Sequence, residues 1–193
     1  KWDRLEELFG GTGLLPLWVA DMDFSAPPAV LKAIKERTNH PIFGYNYSSD
    51  EYYQAVISWM KRRHNWNIDR EWILFTLGVV PALSYSVKAY TEPDDNIIIQ
   101  SPVYRPFYTT IENNGRNIIT NPLIYRDGRY FMDYEDLEAK IDSKTKLLIL
   151  CSPHNPVGRV WTKEELTKLG EICLKNDIII ISDEIHFDIV YKG

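Results

Sequence analysis

Asp177-Ile178-Ile179-Ile180-Ile181-Ser182, running on into Asp183-Glu184-Ile185-His186, is the stretch on which the fold turns. An unbroken isoleucine run does not alternate apolar with polar, so Asp177–Ser182 reads as a strand covered on both faces. Lys146–Cys151 (KLLILC) reads the same way, and Asn96–Gln100 (NIIIQ), Asn117–Thr120 and Trp72–Thr76 (WILFT) are further strand candidates. Helical patterns separate them. After Gly78, residues Val80, Leu83, Val87 and Tyr90 share one helix face, and Thr162 with Glu165 forms a capping box ahead of Leu166, Leu169, Ile172 and Cys173. Ser49-Asp50-Glu51 offers an N-cap and first-turn acids for a helix carrying Tyr53, Val56, Ile57 and Met60 to about His64. Apolar strands alternating with amphipathic helices predict an α/β fold, a three-layer α/β/α sandwich with a mostly parallel central sheet.

Upstream the pattern changes. Gly10-Gly11-Thr12-Gly13 reads as a flexible turn, and Ser25-Ala26-Pro27-Pro28 introduces a short helix over Ala29–Thr38. Residues 1–44 are therefore expected to form an N-terminal arm and part of a small lobe. Residues 45–193 are expected to form an incomplete large domain.

Composition narrows the function classes. The 193 residues are 45% hydrophobic and 25% charged, with 22 basic against 27 acidic side chains, which argues against disorder. A net charge of −5 offers no general attraction for nucleic acid or an anionic membrane surface. No apolar run approaches the roughly 20 residues that span a bilayer, and Lys1-Trp2-Asp3-Arg4-Leu5 does not open a signal peptide. The two cysteines, Cys151 and Cys173, lack CxxC spacing and read as buried free thiols, consistent with a reducing cytoplasm. The chain begins at Lys1 rather than Met and stops soon after a strand-like run, so it is expected to be part of a longer protein.

In open α/β sheets ligands gather beyond the carboxyl ends of the strands, so the residues just after each strand matter most. Leu77-Gly78-Val79-Val80-Pro81 is a glycine turn opening a helix, either a plain connection or a cradle whose free N–H groups meet a phosphate. It is not GxGxxG, and no GxxxxGK[ST] occurs, so a dinucleotide or P-loop site has no support. Ser101-Pro102-Val103-Tyr104-Arg105-Pro106 is a proline-pinned loop in which Tyr104 either packs on the domain or offers a flat face to a planar ligand. In Ser152-Pro153-His154-Asn155-Pro156-Val157-Gly158-Arg159, two prolines stiffen the loop around the Asn155 amide. Asp183 follows the isoleucines at the rim of a low-dielectric core, where its charge needs a cation or strong donors: a nearby Arg, or a cofactor's pyridinium nitrogen, would serve. A phosphate cradle, an aromatic plate, an amide and a buried carboxylate at one sheet edge are together the parts that hold pyridoxal phosphate.

With those residues in view, the chain resembles the amino-terminal half of a fold-type I pyridoxal-phosphate enzyme of the aminotransferase class I/II superfamily. Its strongest likeness is to the MalY/PatB-type cystathionine β-lyase branch. The likeness rests on Leu17–Phe24 (LWVADMDF), Phe43-Gly44-Tyr45, Gly78–Leu83, Ser101–Tyr104, Pro153–Trp161 (PHNPVGRVW) and Ser182–His186. WVADMDF and PHNPVGRVW are particular to this branch, whereas the NP-x-G loop and SDE strand end are shared by the superfamily. The resemblance implies that Asp183 pairs with the pyridine nitrogen, Asn155 with the phenolic oxygen, and Tyr104 with the ring face. It implies that Gly78, Val79 and Val80 hold the phosphate, and that Tyr45 reaches the phosphate of a neighbouring subunit in a homodimer. His186 stands where many aminotransferases carry a tyrosine beside the cofactor oxygen, which favours the lyase branch, and Ala20 is a candidate substrate contact. Ser152 departs from the Asn expected before the proline.

The same resemblance demands a Schiff-base lysine well beyond the SDE strand end, yet only Glu184–Gly193 follow Asp183, and Lys192 lacks the expected context. No catalytic lysine is therefore assigned within the chain, and the fragment alone is expected to be inactive. The implied activity of the full-length enzyme is β-elimination from a cystathionine- or cysteine-S-conjugate-type sulfur amino acid to pyruvate, ammonia and a thiol. Transamination is the alternative. A metal-dependent hydrolase using His154, His186, Asp183 and Asp188 is a remote one, because His186 in a strand-like segment would face away from Asp183. The branch also includes proteins that bind a transcription factor, a role compatible with catalysis.

Overall fold

The computed structural model describes residues 1–191. The chain separates into two compact units, Lys1–Arg70 and Glu71–Gly193.

The first unit holds three helices, α1 (Leu5–Phe9), α2 (Pro28–Thr38) and α3 (Asp50–His64). Pro28 opens α2 at the position where a missing N–H is harmless, one residue before the expected start. Asn65, in the left-handed region at φ 50°, ends α3 after the basic run Lys61-Arg62-Arg63-His64, whose charges favour a helix C-terminus. Lys1 Nζ pairs with the Asp23 carboxylate at 2.6 Å and Trp2 Nε1 donates to it at 2.8 Å, which ties the Leu17–Phe24 stretch to the start of the chain. Neither α2 nor α3 has a buried residue. The units part at Arg70/Glu71.

The second unit contains the sheet. Strands β1 (Asn96–Ile99), β2 (Asn117–Thr120), β5 (Thr145–Cys151) and β6 (Ile179–Asp183) lie in the order β2-β1-β5-β6, and every pairing is parallel. Alternate strand residues face opposite ways. Ile97, Ile99, Leu147 and Ile149 pack with Leu83 and Val87 of α4 (Val79–Tyr90) and with Phe107 and Ile111 of α5 (Pro106–Asn113). Ile98, Leu148 and Leu150 pack with Leu137 of α6 (Tyr134–Lys140) and with Leu169, Ile172 and Cys173 of α7 (Lys163–Lys175). That is the α/β/α sandwich expected from the isoleucine and leucine runs. Each fully buried aliphatic side chain in it stabilises the fold by about 1.5–3 kcal/mol. Among the described residues no helix is long and apolar enough to cross a membrane.

The capping box is present in both directions: Glu165 N–H donates to Thr162 Oγ1 at 3.2 Å, and Thr162 N–H donates to the Glu165 carboxylate at 2.8 Å. Three elements differ from the sequence reading. Trp72–Thr76 is not a strand: a 3₁₀ turn spans Arg70–Trp72, the following residues are irregular, and Trp72, Leu74 and Phe75 are 62%, 85% and 65% exposed. A strand exists only against a neighbour that completes its hydrogen bonds, and no described strand lies beside this segment. The β6 strand starts at Ile179, because Asp177, with φ 54°, still belongs to the turn that closes α7. His186 lies in a turn after β6, not in a strand, so the alternation argument about its direction fails.

The sequence reading missed α5, α6 and an antiparallel hairpin of β3 (Ile124–Arg126) and β4 (Arg129–Phe131). In the hairpin, Asp127 and Gly128 take φ 51° and 76°, the two-residue turn that matches strand twist. Pro106 pins the loop after β1, as expected, but it does so as the first residue of α5.

Candidate functional site

A parallel sheet places the carboxyl ends of its strands at one edge, and a helix preceding a strand runs antiparallel to it. The N-terminus of α4 therefore lies at the carboxyl edge, because α4 leads into the amino end of β1. The β5–β6 register pairs Cys151 with Asp183, and the β1–β5 register pairs Ile99 with Ile149. The loop after β1, the loop after β5 and the end of β6 thus emerge side by side. Gly78, Val79, Val80, Tyr104, Asn155, Asp183 and His186 all belong to this edge of the second unit. Tyr45 and Ala20 lie in the first unit, both exposed.

Gly78 is the N-cap of α4 with φ 104°, a backbone conformation that side chains rarely adopt, and a Cβ there would meet nothing closer than Pro81 Cδ at 4.0 Å. The next two residues, Val79 and Val80, carry N–H groups of the first helical turn. Pro81 has none, and Ala82 N–H bonds back to the Gly78 carbonyl at 3.4 Å. The cradle therefore offers two main-chain donors at the positive end of the helix dipole, side by side.

Tyr104 is half-exposed and stands edge-on to Phe107, with ring centroids 6.2 Å apart and planes at 83°. This T-shaped contact holds the ring in place. Asn155 follows His154 in the β5 loop, and its main-chain N–H donates to Cys151 Sγ at 3.4 Å. The Cys151 thiol is pushed up to about 11, mainly by burial, with the Asn155 N–H working against the shift and the nearby Asp183 charge adding to it. The thiol is protonated at neutral pH and packs as a small apolar group.

Asp183 is 6% exposed. Its carboxylate accepts the Ile185 N–H at 3.1 Å and, among the described residues, has no ion-pair partner. The alternative of a structural salt bridge to a neighbouring Arg is thereby ruled out within those residues: buried Arg159 pairs with Glu165 instead. His186 is half-buried in the turn beyond, and its carbonyl accepts from Ile189 N–H at 2.9 Å.

The sequence reading saw the proline stiffness of the β5 loop but missed its clasp. His154 N–H donates to the Arg159 carbonyl at 2.7 Å, Gly158 N–H to the His154 carbonyl at 2.8 Å, and Trp161 Nε1 to the Cys151 carbonyl at 2.9 Å. The Arg159 guanidinium lies 4.7 Å over the Trp161 ring. The signal was available in the spacing of Arg159, Trp161 and Glu165, but only the turn back of the chain shows what it serves. Among the described residues no group of three or more His, Cys, Asp or Glu is placed to hold a metal ion. The His154 ring of the metal reading is engaged with the Pro102 carbonyl at 3.0 Å.

Burial holds the His154 ring below the ordinary histidine range, partly offset by main-chain acceptors. The unfolded chain therefore binds a proton that the folded one refuses once pH drops below about 6.5. Stability falls as pH decreases from there, by at most about 1.4 kcal/mol per pH unit for one proton, and levels off beneath the folded value. Thermal melts of the whole protein from neutral to mildly acidic pH should show this slope, and His154→Gln should flatten it.

Residues 12–193 match the model of the aminotransferase class I and II family. The chain belongs to this family. Two curated family relatives are those of the expected branch. Cystathionine β-lyase PatB of Bacillus subtilis is 53% identical over 194 residues, which cover 100% of this chain and 50% of the relative. Protein MalY of Escherichia coli is 34% identical over 193 residues, covering 99% and 50%. The crystal structure of cystalysin from Treponema denticola, which contains a pyridoxal 5'-phosphate cofactor, matches with a TM-score of 0.93 at 44% identity, over 100% of this chain and 50% of that one. The chain spans about half the length of the curated relatives it matches. The family and fold implied by PHNPVGRVW and the SDE strand end are thereby established.

Proposed function

We propose that the chain is the cofactor-binding part of a pyridoxal-phosphate-dependent carbon–sulfur β-lyase that releases pyruvate, ammonia and a thiol from a sulfur amino acid. The observation that carries the cofactor is the Asp183 carboxylate, buried at a strand end with one main-chain donor and, among the described residues, no ion-pair partner. A buried strand-end carboxylate without an ion-pair partner is a fitting seat for the protonated ring nitrogen of a pyridine cofactor. The rest of the donor set fits the same molecule: two free amides for a phosphate, a fixed ring for a planar heterocycle and an amide for a phenolic oxygen.

When bound, pyridoxal phosphate supplies an electron sink that makes the α-proton of an amino acid acidic. In this reading Asp183 keeps the ring nitrogen protonated, Asn155 donates to the phenolic oxygen, and Tyr104 stacks on the ring. The Val79 and Val80 N–H groups bind the phosphate at Gly78, and His186 lies beside the cofactor oxygen. Tyr45 reaches the phosphate held by a second copy, making the site a property of a cytoplasmic homodimer, and Ala20 touches substrate. The arm and small lobe cover residues 1–44, the cofactor-binding domain includes residues 45–193, and the Schiff-base lysine lies outside them. Likeness to the cystathionine β-lyase PatB supports lyase over transaminase.

The test uses the whole protein with added pyridoxal phosphate and cystathionine. Release of pyruvate and ammonia is expected. Consumption of an α-keto acid without pyruvate release would replace the lyase by an aminotransferase, and no visible absorbance on cofactor addition would overturn both.

A further inference from the structure

The His154 ring crosses between the two loops that carry Tyr104 and Asn155. It is 1% exposed and sits in the β5 loop, directly before Asn155. The Nε2 atom lies 3.0 Å from the carbonyl of Pro102, in the β1 loop two residues before Tyr104. A carbonyl only accepts, so Nε2 carries the proton and donates. The β1–β5 ladder has already ended at Ile99 and Ile149, so the bond joins the two loops past the point where strand pairing holds them.

The ring's own position is fixed from both sides. Its main chain is closed against Arg159, and its plane stands edge-on to Trp161 at 88° with centroids 5.5 Å apart. The Trp161 indole is anchored in turn to the Cys151 carbonyl. The remaining ring nitrogen, Nδ1, is buried and, among the described residues, makes no hydrogen bond of good geometry, although the Gln100 and Cys151 main chain lies near the ring.

We propose that His154 is a positioning residue that staples the Asn155 loop to the Tyr104 loop and so sets the spacing between the amide and the ring face that hold the cofactor. The inference rests on the functional reading above and adds a determinant that touches neither cofactor nor substrate. Through it, a displacement of either loop is passed to the other.

The whole protein tests this through His154→Phe, which keeps a flat ring but loses the donor, and His154→Gln, which keeps an N–H donor at similar reach. Loss of one buried hydrogen bond predicts that His154→Phe binds pyridoxal phosphate about tenfold more weakly, with an altered visible circular dichroism of the bound cofactor. His154→Gln should recover both. Wild-type affinity and dichroism in His154→Phe would overturn the staple. So would a His154→Gln variant that regains the cofactor-free melting temperature of the wild type without regaining its dichroism, because the role would then be structural only. If the wild-type protein shows no visible cofactor band, the functional reading fails separately. Histidine-selective NMR of the cofactor-free protein then decides the staple: a neutral ring with its proton on Nε2 supports it, and a proton on Nδ1 overturns it.

Discussion

Asp183→Ala is expected to lower cofactor affinity and activity of the whole protein together, by two to four orders of magnitude. Removing one member of a buried charge pair is worth about 3–5 kcal/mol, and each 1.4 kcal/mol is tenfold. The structure makes the prediction sharp because no neighbouring cation can compensate among the described residues, and the Ile185 N–H cannot replace the lost charge. Asp183→Asn separates the two halves of the effect. It keeps a side-chain acceptor for the Ile185 N–H and most of the shape, yet it cannot hold a ring nitrogen protonated. Affinity in the Asn variant should therefore recover more than turnover does. Measuring cofactor dissociation and turnover side by side checks this, and equal turnover in wild type and Asp183→Ala would contradict the assigned role.

The second large effect is expected from Val79→Pro. Residue 79 is the first residue of α4, where proline fits because the N–H makes no intrahelical bond, and Gly78 with ψ 171° suits a residue before proline. The substitution therefore deletes one phosphate donor while leaving the helix able to form. A hydrogen bond to a charged group contributes about 1.5–3 kcal/mol, so affinity for pyridoxal phosphate should fall by roughly one to two orders of magnitude. Affinity for pyridoxal without its phosphate should hardly change, and the ratio of the two is the measurement. A parallel loss for both ligands would show that Val79 supports packing rather than the phosphate.

Much of the fold was legible because its signals are local. Leu147–Leu150 is a strand buried on both faces, whereas the isoleucine run forms a strand only partly covered, because β6 lies at the sheet edge and leaves Ile179 43% exposed; Thr162 with Glu165 announces a helix start wherever it stands. Trp72–Thr76 misled because strand formation is not local: the same apolar composition is irregular and exposed when no described strand pairs with it. The α5 helix was hidden by Pro106, which breaks a helix interior but opens a helix at its first position. His186 was misplaced for a similar reason. A strand pattern was carried past Asp183, although the ladder ends there.

The site divides along the same line. The residue types were set by the sequence alone: a carboxylate after the isoleucines, an amide between prolines, a glycine before a helix, an aromatic in a pinned loop. Each of those is a statement about neighbours along the chain. The tertiary structure decided which of them share an edge, that Arg159 pairs with Glu165 while Asp183 has no ion-pair partner among the described residues, and that His154 binds across to Pro102. These are relations between segments far apart in sequence, and they are fixed by sheet register and by the desolvation of groups that must then find partners. Neither cause is written in any local pattern of residues.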